Sequence, residues 1–278
     1  GNQFLGEIRG VDAVAHVVRG FEDADVAHVL GDVEPVRDAD IVETELLLAD
    51  LEVLERASAK RKRDWQTYPR EHADEIRRFE LYRSTLDDGV ALRTLEFDAG
   101  VRVELKTLGL ITGKAMLYVL NTADETVDES ARSWLEVLSQ RSSAAAVAMA
   151  CKLEWELLQL EPDEREEFMG ELGMEETGLD RVVRSAFELL ELVSFFTVAK
   201  GKLQAWEVPR GTRAPAAAGK VHSDMEKGFI RAQVATMPDV VEQGGWHGLQ
   251  PAGRLKVVGK DYEIQDGDVV EFLFSDPH

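Results

Sequence analysis

Three short polar words stand directly after apolar runs, which is where an open α/β sheet offers side chains to a ligand at the carboxyl ends of its strands. Phe21-Glu22-Asp23 follows Ala13–Val18, Asn121-Thr122-Ala123-Asp124-Glu125 closes Lys114–Asn121, and Cys151-Lys152-Leu153-Glu154 follows Ala144–Ala150. Phe21, Asn121 and Lys152 can be drawn as a pocket for the edge of a flat base, with neighbouring acids accepting its donors. Local structure supplies an alternative for each word. Phe21 would plug a strand end, and Asn121-Thr122 would cap a helix over Glu125–Leu138. Cys151 reads as a small loop residue, because no nearby histidine could activate its thiol.

A second cluster carries charge. Lys60-Arg61-Lys62-Arg63, with Trp65 and Tyr68, forms a basic-aromatic tip in an otherwise acidic chain. Such a tip could meet RNA phosphates and stack bases, or be a solvated helix face with an aromatic pair at its turn. The acids from Glu161 to Glu167 read as helix N-terminal dipole partners on a solvated face, not as a metal cluster. His16 and His28 have no partners at metal spacing, and His222 and Asp224, two apart, do not share a helix face. No residue is assigned a catalytic or metal-binding role.

Around these words the apolar pattern predicts the supporting elements. Ala13–Val18, Lys114–Asn121 and Ala144–Ala150 read as buried parallel strands. Val36 to Arg63 keeps a helical period until Pro69, and Glu71–Leu86 resumes it up to Asp87-Asp88-Gly89, so the two make an antiparallel, coiled-coil-like helical hairpin. From Val193 the period changes. Phe195–Val198 and Leu203–Val208 make a hairpin around Lys200-Gly201, Phe229–Val234 alternates, and Asp266-Gly267-Asp268 turns into a strand over Val269–Phe274.

Composition bounds the class. The chain has 278 residues, 44% hydrophobic and 31% charged, as in a globular protein. A net charge of −21 disfavours non-specific nucleic-acid binding through the whole surface, though a local basic patch escapes that argument. The single cysteine fits a reducing cytoplasm. No apolar run approaches the roughly 18–20 residues of a membrane span, and no signal-peptide pattern opens the chain. It begins Gly1-Asn2-Gln3 without a methionine, which fits a fragment or an incomplete gene product.

The words His222-Ser223-Asp224-Met225-Glu226-Lys227-Gly228-Phe229-Ile230-Arg231-Ala232 and Asp261-Tyr262-Glu263-Ile264-Gln265-Asp266-Gly267-Asp268-Val269 closely resemble the TGS domain of the Obg-like ATPases, the YchF family. The resemblance extends, with varying strength, over nearly the whole chain. It implies a partial P-loop G-domain of α/β type over residues 1–43 and 96–192. It further implies an inserted α-helical coiled-coil hairpin over 44–95, and a C-terminal α+β β-grasp (TGS) domain over 193–278.

By the same resemblance Phe21, Asn121, Thr122, Asp124, Lys152 and Glu154 are base-binding residues. Asn121 and Asp124 stand where the family carries N-x-x-E and the GTPases N-K-x-D. The cofactor implied is ATP or GTP with Mg²⁺, and the partner implied is the ribosome or its RNA, with Lys60, Arg61, Lys62, Arg63 and Trp65 as contact candidates. No G-x-x-x-x-G-K-[ST] word occurs in the chain, so the phosphate cradle is missing from these residues. The expectation is therefore the C-terminal portion of an Obg-like nucleoside triphosphatase that binds nucleotide weakly and does not turn over alone. Its first strand would lack an inner neighbour. The alternative is a non-catalytic RNA- or protein-binding module acting through the TGS sheet and the basic tip.

Overall fold

Parallel strands need crossovers, and the residues between the first three apolar runs supply them. The computed structural model describes residues 2–125, 127–141, 144–199 and 202–275, in two units, Gly1–Leu189 and Leu190–His278. In the first unit α1 (Asn2–Ile8) leads to β1 (Ala13–Arg19), and α2 (Pro35–Thr67) is followed after the Pro69 turn by α3 (Ala73–Asp87). Then come α4 (Ala99–Leu108), β2 (Ala115–Asn121), α5 (Glu129–Ser139), β3 (Ala144–Met149), α6 (Cys151–Leu157), α7 (Pro162–Glu171) and α8 (Gly178–Leu189). The strands form a parallel three-stranded sheet in the order β1-β2-β3, with Ala13 opposite Ala115 and Met116 opposite Ala144.

Central β2 is buried from Met116 to Leu120. The other apolar runs correct the sequence reading: in β1 only Val18 is buried and Val17 is 58% exposed, while β3 is half-buried throughout. Among the described residues each of these strands has a sheet partner on one side only, so an apolar run marked the element without fixing its depth. Ser142, at the head of the third run, lies outside the described residues.

Glu34 accepts from the Arg37 amide at 2.8 Å and Pro35 opens α2, a start that matches its cap chemistry. Arg61 on the last turns of α2 pairs with Glu75 on the first turn of α3 at 3.0 Å, and Trp65 sits edge-on to Phe79. The two helices therefore run antiparallel. Leu47, Leu54, Ala57, Phe79, Tyr82 and Leu86 form their core together with Leu92, Leu105 and Leu110. Midway along α2, fully buried Asp50 accepts from the Ile111 amide (2.9 Å), the Thr112 amide (2.7 Å) and the Thr112 hydroxyl (2.8 Å), tying the helix to the entry of β2.

Two carboxylates hold the hairpin region electrostatically. Burial pushes Glu75 up, but Trp65, Arg61 and His72 more than offset it, leaving its pKa below the usual range. Burial likewise raises Glu104, and Arg78 and Tyr82 bring it below normal. A carboxyl with a depressed folded-state pKa stabilises above its unfolded value and loses that contribution as pH falls through the folded one. The thermal midpoint difference between the wild type and an E75Q/E104Q variant is thus expected to shrink as pH drops below the ordinary 4.5. A difference that stays constant down to acid unfolding would contradict this.

The second unit contains β4 (Leu192–Ala199), β5 (Lys202–Pro209), α9 (Ala214–Val221), α10 (Ser223–Lys227), β6 (Phe229–Thr236), α11 (Met237–Glu242), α12 (Trp246–Leu249), β7 (Lys256–Val258) and β8 (Asp268–Phe274). The strand order is β5-β4-β8-β6-β7, with β4 and β8 parallel and the other pairs antiparallel. The expected turn at Lys200-Gly201 lies outside the described residues. Ala214, Ala217 and Ala218 are fully buried, their small side chains letting α9 lie close on the sheet. Gly228 is required where α10 meets β6: a Cβ there would fall 1.9 Å from the Ser275 carbonyl oxygen. Among the described residues no helix is long and apolar enough to cross a membrane.

Candidate functional site

Because β1, β2 and β3 are parallel, their carboxyl ends share one edge, and the three polar words meet there. Hydrogen bonds lace the loops together. The Gly20 amide donates to the Asn121 carbonyl at 2.8 Å, and the Thr122 amide to the Met149 carbonyl at 3.1 Å. The Cys151 amide donates to Asn121 Oδ1 at 3.1 Å. Asn121 thus touches the loops after both neighbouring strands, through its main chain on one side and its side chain on the other. Gly20 allows the first approach, since a Cβ would fall 2.6 Å from Leu120 Cδ1.

Phe21 is half-buried beneath the Arg19 guanidinium, 4.8 Å from its ring centroid, while Arg19 Nε donates to the Phe21 carbonyl at 3.0 Å. Thr122 is buried, and its hydroxyl donates to the Asp124 carbonyl at 2.8 Å, closing the turn that presents exposed Asp124. That turn does not cap a helix over Glu125–Leu138. Helix α5 begins at Glu129, capped by Asp128, whose carboxylate accepts from the Ala131 amide at 2.7 Å. Lys152 is exposed on the first turn of α6. Burial and nearby Glu154 raise the Cys151 thiol pKa, the backbone offsetting only part, so the thiol is a poor nucleophile.

Glu154 is placed differently from its base-binding expectation. It is buried, and its carboxylate accepts from the Gly178 and Leu179 amides, neutralising the amino end of α8. A carboxylate committed to two helix amides is an anchor for α8.

Two residues outside the base-binding expectation belong to this edge. Arg181 Nη2 on α8 pairs with Glu125 Oε2 at 2.8 Å and donates to the Ala148 carbonyl at 3.3 Å. The available signal was a cation in the first turn of a helix, where the dipole opposes it. Its partner, however, lies 56 residues away in sequence.

The basic-aromatic tip divides. Lys60, Lys62 and Arg63 are exposed. Arg61 instead pairs with Glu75 and lies over Phe79, and the Trp65 indole donates to Glu75 at 2.9 Å. The apolar seam between α2 and α3 draws both side chains inward, which corrects the expectation that Trp65 stands ready to stack a base. Among the described residues no three His, Cys, Asp or Glu side chains are grouped to hold a metal. His28 is bonded to Asp38 at 2.8 Å.

Comparison with known structures defines the class. The YchF GTPase of Schizosaccharomyces pombe superposes with a TM-score of 0.81 at 26% identity, over 98% of this chain and 75% of that one. A GTP binding protein from Pyrococcus horikoshii OT3 shares the fold, with a TM-score of 0.61 at 19% identity, over 98% of this chain and 81% of the other. The architecture is that of the YchF GTPases, a P-loop G-domain fold with a C-terminal domain.

Sequence comparison agrees. Ribosome-binding ATPase YchF of Escherichia coli O157:H7 is 37% identical over 276 residues, covering 99% of this chain and 76% of that protein. Its Bacillus subtilis counterpart is 35% identical over 279 residues, with the same coverage. Residues 192–275 match the family model YchF-GTPase_C, described as a protein of unknown function (DUF933). The chain belongs to the YchF family.

Proposed function

We propose that the strand-end edge of the first unit recognises the base of ATP or GTP in a cytoplasmic, ribosome-associated nucleoside triphosphatase that uses Mg²⁺. The observation that carries this is Asn121, bonded to the loops following β1 and β3 at the one edge where Phe21, Thr122, Asp124 and Lys152 also lie. Similar proteins bear the name ribosome-binding ATPase, which supports the nucleotide and the partner together. In this reading residues 1–43 and 96–192 are G-domain, 44–95 the coiled-coil hairpin and 193–278 a β-grasp TGS domain. Lys60, Lys62 and Arg63 are the hairpin's contacts with ribosomal RNA, since they remain in solvent.

These 278 residues contain no phosphate-loop word, so base contacts alone make binding weak, without turnover. Asn121→Ala removes the acceptor for the Cys151 amide and the carboxamide at the edge. Calorimetric titration with AMP is expected to show binding weakened about tenfold, the scale of one lost hydrogen bond with its neighbour left unpaired. Equal affinity in the variant would overturn the reading.

A further inference from the structure

Two antiparallel helices bury the seam between them and leave a groove along each side of it. On one side of the hairpin lies α4, where Arg78 and Tyr82 of α3 donate to Glu104 at 2.7 and 2.8 Å. Ile76 and Glu80, two residues to either side of Arg78, fall on the opposite flank of α3. There the groove is open, a cavity of about 450 Å³ with Leu51, Leu54, Trp65, Ile76 and Phe79 along its floor. Leu48, three residues before Leu51 and 53% exposed, continues the apolar stripe one turn along α2. The Trp65 indole N–H is already bonded to Glu75, so the ring adds apolar surface and no donor. The Ser58 hydroxyl, also in the groove, donates to the Leu54 carbonyl at 2.8 Å.

The rim is acidic. Glu55 on α2 and Glu80 on α3 are exposed, and their carboxylates form no hydrogen bond or ion pair among the described residues. Arg83, also at the rim, is turned to Asp87 at 3.5 Å. We infer that this groove docks a basic amphipathic helix of a partner protein, whose apolar face enters it and whose lysines or arginines meet Glu55 and Glu80. A third helix laid along the seam would complete a small bundle, anchored by apolar side chains at i, i+3 and i+7. Charge decides the occupant. RNA would set its phosphates against the two carboxylates, and a second copy packed two-fold would set Glu55 and Glu80 against their own like. Exposed Lys60, Lys62 and Arg63 end the same hairpin, so one projection would offer RNA and protein two different surfaces. Neither the base edge nor the RNA contact is needed for this docking.

The test titrates the whole chain, isotopically labelled, with a synthetic helical peptide of about four turns, leucines at i, i+3 and i+7 and lysines flanking them. Binding is expected to move the Trp65 indole and Ile76 methyl signals, with the strand-end loops unmoved. E55K/E80K, two exposed substitutions that leave the apolar seam intact, should weaken this peptide about tenfold and favour its counterpart with glutamate for lysine. Serine in place of the peptide's leucines should cost about tenfold or more. A scrambled peptide of the same composition is attracted equally by the net charge of −21, and should bind about tenfold more weakly for want of an apolar face. Equal binding of the scrambled peptide, shifts centred on the acidic helix α7, or unchanged affinity in E55K/E80K overturns the inference. Silence at Trp65 and Ile76 with about 1 mM peptide does so too. So does a groove whose signals move when the chain is diluted alone, the mark of a second copy, or when a short RNA replaces the peptide.

Discussion

Asp50→Ala is expected to lower the stability of the first unit by about 3–5 kcal/mol, the cost of dismantling a buried charged network from one side. The carboxylate is fully buried and accepts three hydrogen bonds from Ile111 and Thr112, with Arg9 at 3.4 Å as its ion-pair partner. Burial pushes its pKa up, and the Ile111 and Thr112 donors and Arg9 pull back only in part. Alanine would leave two main-chain N–H groups buried without acceptors, a cavity between α2 and β2, and Arg9 without its counterion. Asp50→Asn is the informative companion: it keeps the shape but offers one acceptor oxygen, so roughly half the loss should return. Urea unfolding followed by far-UV circular dichroism measures both. A loss below about 1 kcal/mol for alanine would mean that α2 is held to the sheet by apolar packing alone.

Phe195→Ala should cost the second unit a similar amount, about 3–5 kcal/mol. Phe195 is fully buried and meets Phe272 edge-on at 6.0 Å, and Phe272 in turn meets Phe229 at 6.3 Å. Val193, Val208, Ala217 and Ile264 complete this core between the sheet and α9. Its neighbour Phe196 points to the other face, is only partly buried, and packs with the smaller cluster around Val240, Leu249 and Val269. Phe196→Ala should therefore cost clearly less. Hydrogen exchange at the β4 and β8 amides reads the difference directly. Equal losses for the two substitutions would show that the two faces of the sheet contribute alike.

Periodicity made most elements legible and left their depth and partners open. The break at Pro69, the return of helical period from Glu71 and the alternation of Phe229–Val234 each correspond to an observed boundary or strand, because they are local backbone preferences. The exposure of Val17 depends on the absence of a second sheet partner among the described residues, which no run of apolar letters encodes. The start of α5 was misplaced for a different reason. Asn121-Thr122 and Asp128 are both competent caps, and only the hydrogen bond from Ala131 distinguishes them. The word beginning at Cys151 read as a loop, yet it is the first turn of α6.

The candidate site divides the same way. Strand ends can be found by their apolar runs, so Phe21 and Asn121 could be placed at an edge from sequence. The commitment of Glu154 to α8, of Arg181 to Glu125, and of Trp65 to Glu75 depends on contacts between distant segments or on helix rotation. A side chain's chemistry names its possible partners, and only the fold chooses among them.

The measurement that bears most directly on the base edge is an amide chemical-shift map of the labelled chain titrated with ATP and Mg²⁺. Shifts should concentrate at Phe21, Asn121, Thr122, Asp124 and Lys152, and fade in proportion when Asn121 is replaced by alanine. Shifts confined to the second unit or to the hairpin residues Lys60, Lys62 and Arg63, with the strand-end loops unmoved at saturation, would contradict it.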